Sequence, residues 1–204
     1  MSLGEVADSR RRYLQALDRV VKESLERVRT GSDGVGSVAV HVPKEMGRDE
    51  LETVRNAVKG AAGSRVVPVA VAKVTDEGNF FAIDQRYPDG VPRKGTAIQI
   101  TDREFLLYTE GRDEKDVWRG RAPGALRIGP QGGVPSDLQA RALLAQVYHL
   151  SQVNWRGFNA RARPISVHYG SRIAEILSHL SSEEIGSLYS SRNKDTLEHR
   201  MWFL

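Results

Sequence analysis

The sequence contains no cysteine among its 204 residues. This absence excludes disulfide bonds, zinc sites built on thiolates, iron–sulfur clusters and catalysis by a cysteine nucleophile. The chain also has no apolar run close to the roughly 18–20 residues that a membrane-spanning helix needs, and its first residues are polar where a secretion signal is apolar. We therefore expect a cytoplasmic protein with no membrane partner.

Several short motifs that identify common enzyme classes are also missing. The chain has no glycine-rich phosphate loop, no His-Glu-x-x-His pair and no Gly-x-Ser-x-Gly elbow. Its five histidines are scattered along the chain, at positions 41, 149, 168, 179 and 199. The acidic pairs Asp76-Glu77 and Asp113-Glu114 lie in predicted turns, where solvated carboxylates are ordinary. A zinc hydrolase is therefore not expected.

The composition is that of one globular domain. Hydrophobic residues make up 40% of the chain and charged residues 27%, which leaves enough apolar material for a sizeable core. A length of 204 residues fits a single domain over residues 1–204. The opening Met1-Ser2-Leu3 is typical of a cloning remnant, so residues 1–4 are expected to come from cloning or to be disordered.

Hydrophobic periodicity predicts an α/β fold. Apolar residues at every third or fourth position predict helices over residues 10–29, 49–62 and about 137–153, and a further helix that contains Ile173 and Leu180. Runs of β-branched residues predict buried strands over 37–42 and 66–74. Because a helix separates these two strands, a parallel pairing with a right-handed connection is expected.

The middle of the chain is expected to extend the sheet with antiparallel strands. Short β-like pieces alternate with turn signals there, and they predict strands at 80–84, 96–101, 104–109 and 125–128. Residues 129–135, rich in glycine and proline, are predicted to form an irregular loop. Residues 164–169 are predicted to be extended and to lead into the last helix.

Negative charge is missing from one long stretch. The chain has 30 Lys and Arg against 26 Asp and Glu, and this net charge of +4 is by itself a weak indication of a polyanionic partner. Between Asp137 and Glu175, however, no residue is acidic. This stretch holds five arginines: Arg141, Arg156, Arg161, Arg163 and Arg172. A locally pure positive field favours phosphate binding, because a nearby carboxylate would cancel it.

Short motifs along the chain occur in the order found in one protein family. They are Gly95-Thr96, Leu150-Ser151, Asn154-Trp155-Arg156, Pro164-Ile165, Tyr169-Gly170 and the apolar ending Trp202-Phe203-Leu204. In this order they resemble the C-terminal part of the Piwi module of prokaryotic Argonaute-like proteins. Each motif is short, and the consistent order over nearly the whole chain carries the resemblance.

The resemblance implies a ribonuclease H-like fold, a mixed sheet flanked by helices. In the slicing members of the family, an acidic tetrad holds two divalent metal ions. Here Pro43 stands where one aspartate of that tetrad is expected, Ser171 matches its last member, and the strand that carries its first aspartate is missing. Because two-metal hydrolysis needs several converging carboxylates, we expect a truncated and catalytically inactive module.

The resemblance also implies residues that contact nucleic acid. Arg156 matches a family arginine that contacts guide-strand phosphates, and Arg161 and Arg163 are expected to add supporting charge. The further candidates are Asn154, His168 and Arg172. Each has an ordinary alternative, since surface arginines are commonly solvated and a histidine inside an apolar strand more often packs than binds.

The end of the chain is a separate candidate site. The resemblance implies that the C-terminal carboxylate of Leu204 helps to hold Mg²⁺ or Mn²⁺ at the 5′-phosphate of the guide. The three large apolar residues of the ending predict that this tail packs against the domain.

The expected function is to hold a guide strand, DNA or RNA, or a guide–target duplex through backbone phosphates, without cleavage by this chain. The expected partners are the guide and its target, together with the N-terminal Piwi half and the Mid domain of the family, which this sequence lacks. Two alternatives stay open. The chain could be a structural or protein-interaction α/β domain with incidental arginines, or, more distantly, a metal-dependent nuclease.

Overall fold

The computed structural model of the chain describes residues 3–29, 35–77, 79–113, 123–133, 136–153 and 163–188. Within these ranges the chain forms five α-helices and five β-strands. In chain order they are α1 (Leu3–Arg29), β1 (Val38–Val42), α2 (Arg48–Ala62), β2 (Val69–Glu77), β3 (Ala97–Thr101), β4 (Glu104–Leu107), β5 (Ala125–Gln131), α3 (Asp137–Gln152), α4 (Ile165–Ser178) and α5 (Ser182–Leu188).

The internal contacts divide the chain into two compact units. Unit 1 comprises residues 1–75, 99–105 and 127–143, and unit 2 comprises residues 76–98, 106–126 and 144–204. Each unit combines three separate pieces of the chain.

Unit 1 is built on two amphipathic helices, as predicted. Helix α1 packs against α2, and the apolar face of each helix points towards the same core. The centre of this core is formed by the buried side chains of Met46, Val54 and Val71. Partly buried hydrophobic residues surround it, namely Leu17, Val21, Val40, Val42, Leu51 and Val69.

Strands β1 and β2 are parallel, and α2 connects them, so the predicted parallel pairing is confirmed. Their register runs from Val38 opposite Val69 to Val42 opposite Lys73. Strand β2 starts and ends three residues later than predicted, at Val69 and Glu77. The acidic pair at 76 and 77 therefore closes a strand, and its prediction as a turn was wrong.

The five strands form one sheet in the order β1-β2-β5-β4-β3. Strands β3 and β4 continue into an antiparallel exchange, in which the Gly95 N–H donates to the Tyr108 carbonyl at 2.7 Å and the Tyr108 N–H donates to the Thr96 carbonyl at 2.9 Å. The sheet is therefore mixed and flanked by helices, and the predicted α/β fold class is confirmed.

The predicted strand at 80–84 is wrong. In this segment the Ala82 N–H donates to the Tyr108 hydroxyl at 2.6 Å, and the Asp84 N–H donates to the Gly90 carbonyl at 2.9 Å. A side chain and a turn thus satisfy backbone groups that a neighbouring strand would otherwise bind. Phe81 and Ile83 stay exposed, so the apolar composition that suggested a strand does not reflect burial.

Two more local predictions are corrected. Strand β5 continues to Gln131, inside the predicted loop 129–135, and Gly132, with a φ of 84°, turns the chain just after it. Residues 165–169 are helical, because Pro164 serves as the N-cap of α4 and its carbonyl accepts the N–H groups of Val167 and His168. A proline costs little at a helix start, where its missing N–H would have no helical partner.

None of the described helices combines the length and the apolarity that crossing a membrane requires.

Candidate nucleic-acid interface

Arg163, one of the predicted phosphate-binding residues, makes a two-pronged contact with a carboxylate of unit 2. It directly precedes the N-cap of α4, and its partner Asp76 is the second-last residue of β2. The Arg163 Nε donates to Asp76 Oδ1 at 2.8 Å and to Oδ2 at 3.1 Å, and Nη2 also donates to Oδ2. This is the fork geometry in which a guanidinium binds two oxygens of one group.

The two side chains stabilise each other's charge. The side-chain hydrogen bond from Arg163 lowers the pKa of the Asp76 carboxyl, and the same bond raises the pKa of the Arg163 guanidinium. The pair remains about half exposed, with 44% of the Arg163 side chain and 56% of the Asp76 side chain accessible. A phosphate offers the same pair of oxygens as a carboxylate, so any phosphate that binds this fork must displace Asp76.

Helix α4 carries three further predicted positions. His168 and Arg172 are four residues apart on it, which places them on one face of the helix. His168 is half-buried, and its ring lies edge-on to that of Tyr169 with 5.3 Å between the ring centroids. Arg172 Nη1 donates to Glu175 Oε2 at 2.8 Å within the same helix. The expectation that His168 lies in a strand was wrong, and the partly buried Ser171 is also helical.

Two motifs behind the resemblance have structural roles in unit 2. Gly95 adopts a φ of 78°, and a Cβ atom added there would lie 3.6 Å from the Tyr148 ring of α3. Near the end of α3, the buried Ser151 hydroxyl donates to the Tyr148 carbonyl at 2.6 Å. The Gln152 Nε2 donates to the Thr109 carbonyl at 3.1 Å, which connects this helix end to the chain just after β4. The two motifs therefore meet in one packing arrangement.

Pro43 directly follows β1, in unit 1, and is exposed. The buried carboxylate that follows Pro43 in the chain is that of Glu50, in the first turn of α2, with only 3% of its side chain accessible. Its Oε2 accepts the Gly47 N–H at 2.5 Å, and its Oε1 accepts Lys44 Nζ at 3.2 Å. Arg10 Nη1 lies 3.6 Å from the same Oε1. The Glu50 carboxylate is therefore fully engaged in holding the helix start and two cations.

The environment of Glu50 keeps it ionised. Burial alone would raise the pKa of the Glu50 carboxyl, but hydrogen bonds from the Gly47 backbone and from the side chains of Tyr13 and Lys44 outweigh burial and lower it. Glu50 is not among the site residues predicted from the sequence. The signal was present as a glycine followed three positions later by a glutamate at a helix start, because a side chain at that position reaches back to the first backbone amide.

The sequence is similar to that of a known protein. No family model matches the sequence. A Piwi protein of Archaeoglobus fulgidus is 24% identical over 160 residues, which cover 75% of this chain and 37% of that protein.

Solved structures of Argonaute proteins share the fold. An Argonaute of Marinitoga piezophila in complex with 5′ OH guide RNA matches with a TM-score of 0.58 and 12% identity, over 80% of this chain and 23% of that one. A Clostridium butyricum Argonaute bound to a guide DNA and a target DNA has a TM-score of 0.53 and 16% identity, over 79% and 20%. The protein Aa-Ago with externally bound siRNA has a TM-score of 0.53 and 15% identity, over 81% and 21%.

The chain is Piwi- and Argonaute-like. It spans 37% of the length of the Piwi relative and about a fifth of the Argonaute chains. The expected mixed sheet flanked by helices thus corresponds to the fold of Argonaute Piwi modules.

Several predicted positions of this Piwi-like chain lie outside the described residues. They are Asn154, Arg156, Arg161 and Leu204. Within the described ranges, no group of three or more histidine, aspartate or glutamate side chains is placed to hold a metal ion. The described part of the candidate interface therefore consists of Arg163 with Asp76 and the face of α4 that carries His168 and Arg172.

Proposed function

We propose that this chain is the nucleic-acid-binding part of a Piwi-like protein and that it holds a guide strand or a guide–target duplex through backbone phosphates. The observation that carries the proposal is the match in fold to Argonautes whose solved structures contain guide RNA, or guide and target DNA, together with the sequence similarity to a Piwi protein. Phosphate contacts position a nucleic acid without reading its sequence, so binding is expected to be independent of sequence.

The Arg163 fork supplies suitable chemistry for such contacts. A guanidinium binds two oxygens of a phosphate through parallel hydrogen bonds, and lysine, a point charge, would be a poorer substitute. Arg163 already has this geometry, with Asp76 in the place of the phosphate. Arg156 and Arg161 precede it by seven and two positions and are proposed to contact neighbouring phosphates.

The proposed role does not include cleavage by this chain. Pro43 has no metal-binding group, and the Ser171 hydroxyl is a weak ligand compared with the carboxylates that two-metal hydrolysis requires. Glu50, whose carboxylate accepts the side chain of Lys44, the residue after Pro43, is already bound to that lysine and to the start of α2.

A divalent cation at the guide 5′-phosphate remains part of the proposal, with Leu204 as its ligand in this chain. The described residues do not gather a ligand set of their own, so the other ligands would come from outside them. Appending a short polar tag after Leu204 should therefore remove any Mn²⁺-dependent preference for a 5′-phosphate, measured with the chain reconstituted with a Mid domain. An identical preference in tagged and untagged protein would contradict the role of Leu204.

The binding role is tested with the full chain and labelled 5′-phosphorylated single strands of several sequences, by fluorescence anisotropy at increasing salt. Arg156→Ala is expected to weaken binding similarly for all sequences and to reduce the salt slope by about 0.7, the value for one phosphate contact with a single strand. The Arg161→Ala, Arg163→Ala double variant is expected to act in the same direction.

The matched control is Arg12→Ala, which removes an exposed arginine of α1 that also pairs with an aspartate, Asp8, at 2.6 Å. Unchanged affinity and slope in both interface variants would favour the alternative, a structural or protein-interaction domain. That alternative has one specific observation behind it, since Arg163 and Arg172 both have a carboxylate partner.

Absence of cleavage is tested separately, with matched DNA and RNA targets and Mg²⁺ or Mn²⁺. No guide-directed product is expected. Product that disappears when a carboxylate of this chain is substituted would show that the tetrad was wrongly placed at Pro43 and Ser171.

A further inference from the structure

A cleft in unit 1, at the end of α2 where the chain turns into β2, collects positive charge. It has a volume of about 390 Å³. Three cations line it, Arg55 and Lys59 from α2 and Arg65 from the following turn. Valine side chains form the apolar part of its wall: Val66, Val67 and Val69. We call this site the α2 cleft.

No carboxylate balances these cations in the described part of the chain. Arg55, Lys59 and Arg65 make no ion pair with a described residue, and the cleft lining contains no aspartate or glutamate. With the described residues, these side chains make one polar contact, from Arg55 Nη2 to the Gly132 carbonyl at 3.2 Å. That contact orients the guanidinium and leaves its charge uncompensated.

The arrangement differs from an ordinary solvated helix face. Arg55 and Lys59 are four residues apart, which makes them neighbours on the helix surface, where like charges repel. Arg48 of α2 pairs at this spacing with an acid, Glu52, at 3.0 Å, and Arg12 and Arg19 of α1 pair in the same way. The partial negative charge of a helix C-terminus, about half an elementary charge, offsets only part of three full positive charges. The cleft therefore has a positive field that an anion can stabilise.

We propose that the α2 cleft binds phosphate groups and that its ligand is the backbone of a nucleic-acid strand. Phosphate suits the site because three separate cations can contact successive phosphates, with no carboxylate to be displaced first. A strand suits it better than a small anion because all three cations are exposed, whereas a site for one small ion encloses its donors. Val66, 91% exposed at the rim, offers an apolar contact to a sugar or a base.

The choice of a nucleic acid rests on the proposed function, whereas the phosphate chemistry rests on the α2 cleft alone. The two sites also differ in mechanism. Arg163 must exchange Asp76 for a phosphate, but the cations of the α2 cleft can bind directly.

The test compares three forms of the full chain by anisotropy with a labelled single strand, between about 50 and 200 mM salt. The cleft variant carries Arg55→Ala, Lys59→Ala and Arg65→Ala. The control carries Arg11→Ala, Arg12→Ala and Arg19→Ala, which removes the same charge from exposed positions of α1. Thermal melting of each form confirms the fold, and an Arg55→Lys, Arg65→Lys variant keeps the charge of the cleft.

The cleft variant is expected to bind at least about tenfold more weakly than the control, with a salt slope lower by about 2, from three contacts at about 0.7 each. The lysine variant is expected to retain most of the affinity. Equal losses in the cleft and control variants would overturn the proposal, because the effect would then be one of net charge.

Titration with inorganic phosphate and with tripolyphosphate, followed by calorimetry, separates this inference from the proposed function. If the wild-type chain binds tripolyphosphate but no oligonucleotide, and the cleft variant loses that binding, the phosphate site stands and the nucleic-acid ligand is wrong. If the wild-type chain binds neither, the α2 cleft is not a phosphate site.

Discussion

The two ends of helix α2 treat positive charge in opposite ways. At its start, Arg10 Nη2 lies 2.6 Å from Asp49 Oδ1, and Lys44 Nζ lies 3.2 Å from Glu50 Oε1. At its end, the three cations of the α2 cleft meet no carboxylate of the described residues. The residue types are the same at both ends, and only the supply of acids differs.

This difference separates structural cations, which have an acidic partner, from available ones, which have none among the described residues. A cation that the fold pairs with an acid must give up that contact when it binds a ligand. A cation without an acid can bind an anion without that loss. Arg163 belongs with the first group, although its place in an acid-free stretch of sequence suggested the second.

The largest effect is expected at the start of α2, from Glu50→Ala. This change removes the acceptor of the Gly47 N–H and the partner of Lys44 from a site that is almost fully buried. Loss of a helix-start contact and of a charge-assisted bond should lower the free energy of unfolding by about 2–3 kcal/mol. Urea unfolding monitored by circular dichroism measures it.

The control for that change is Glu52→Ala in the same helix, since Glu52 is exposed and its ion-pair partner among the described residues is Arg48. Its effect should stay within about 0.5 kcal/mol. Similar losses from the two variants would show that the buried cluster around Glu50 is no more important than a surface ion pair.

A smaller effect is expected from Asp76→Asn, which turns a paired arginine into an available one. Without the carboxylate, a phosphate no longer has to displace an ion-pair partner from Arg163. Affinity for a 5′-phosphorylated strand should rise about threefold, and the salt slope should steepen by about 0.7. Anisotropy titrations measure both, and the gain should vanish when Arg163→Ala is added. A gain that persists in the double variant would mean that Asp76 repels the strand without acting through Arg163.

The division between paired and available cations could not be predicted from the sequence, although much of the fold could. The periodicity of α1 and α2 and the β-branched runs of β1 and β2 were sufficient to predict these four elements, because the local sequence pattern and the observed burial agree in them. Asp76 lies 87 positions from Arg163, so a window of sequence cannot show that the fold brings them together. The absence of acids near an arginine in sequence is therefore not an absence in space.

Where the prediction of secondary structure was wrong, the reason is local. The segment 80–84 is apolar, but the Tyr108 hydroxyl binds its backbone, a contact that no pattern encodes. Helix α4 begins where Pro164 suggested an extended strand. Helix α5, in contrast, was predictable, because Ser181 and Glu184 cap each other's backbone amides in the Ser-x-x-Glu arrangement. This helix is nevertheless not among those predicted from the sequence.

A still smaller effect is expected from pH at the Asp76–Arg163 pair. Since Arg163 lowers the pKa of the Asp76 carboxyl, the pair stabilises the fold fully above the ordinary aspartate pKa of about 3.9, and this contribution disappears as the pH falls through the lowered value. Because both side chains are about half exposed, the contribution should be about 0.5 kcal/mol. The wild type should therefore exceed Asp76→Asn in unfolding free energy at neutral pH and match it in acid. An NMR titration of the Asp76 carboxyl with a midpoint at or above the ordinary value would contradict this.

The smallest effect is expected from Arg172→Ala, the exposed counterpart of Arg163 on α4. Arg172 pairs with Glu175 three residues along the same helix, and more than half of each side chain is accessible, so water and salt can replace the partner at little cost. The free energy of unfolding should change by less than about 0.5 kcal/mol. If Arg172 contacts a strand, the variant should nevertheless reduce the salt slope of binding by about 0.7, because the weak bond to Glu175 competes poorly with a phosphate. A reduced slope with unchanged stability would place Arg172 among the available cations despite its partner, and an unchanged slope would remove it from the nucleic-acid interface.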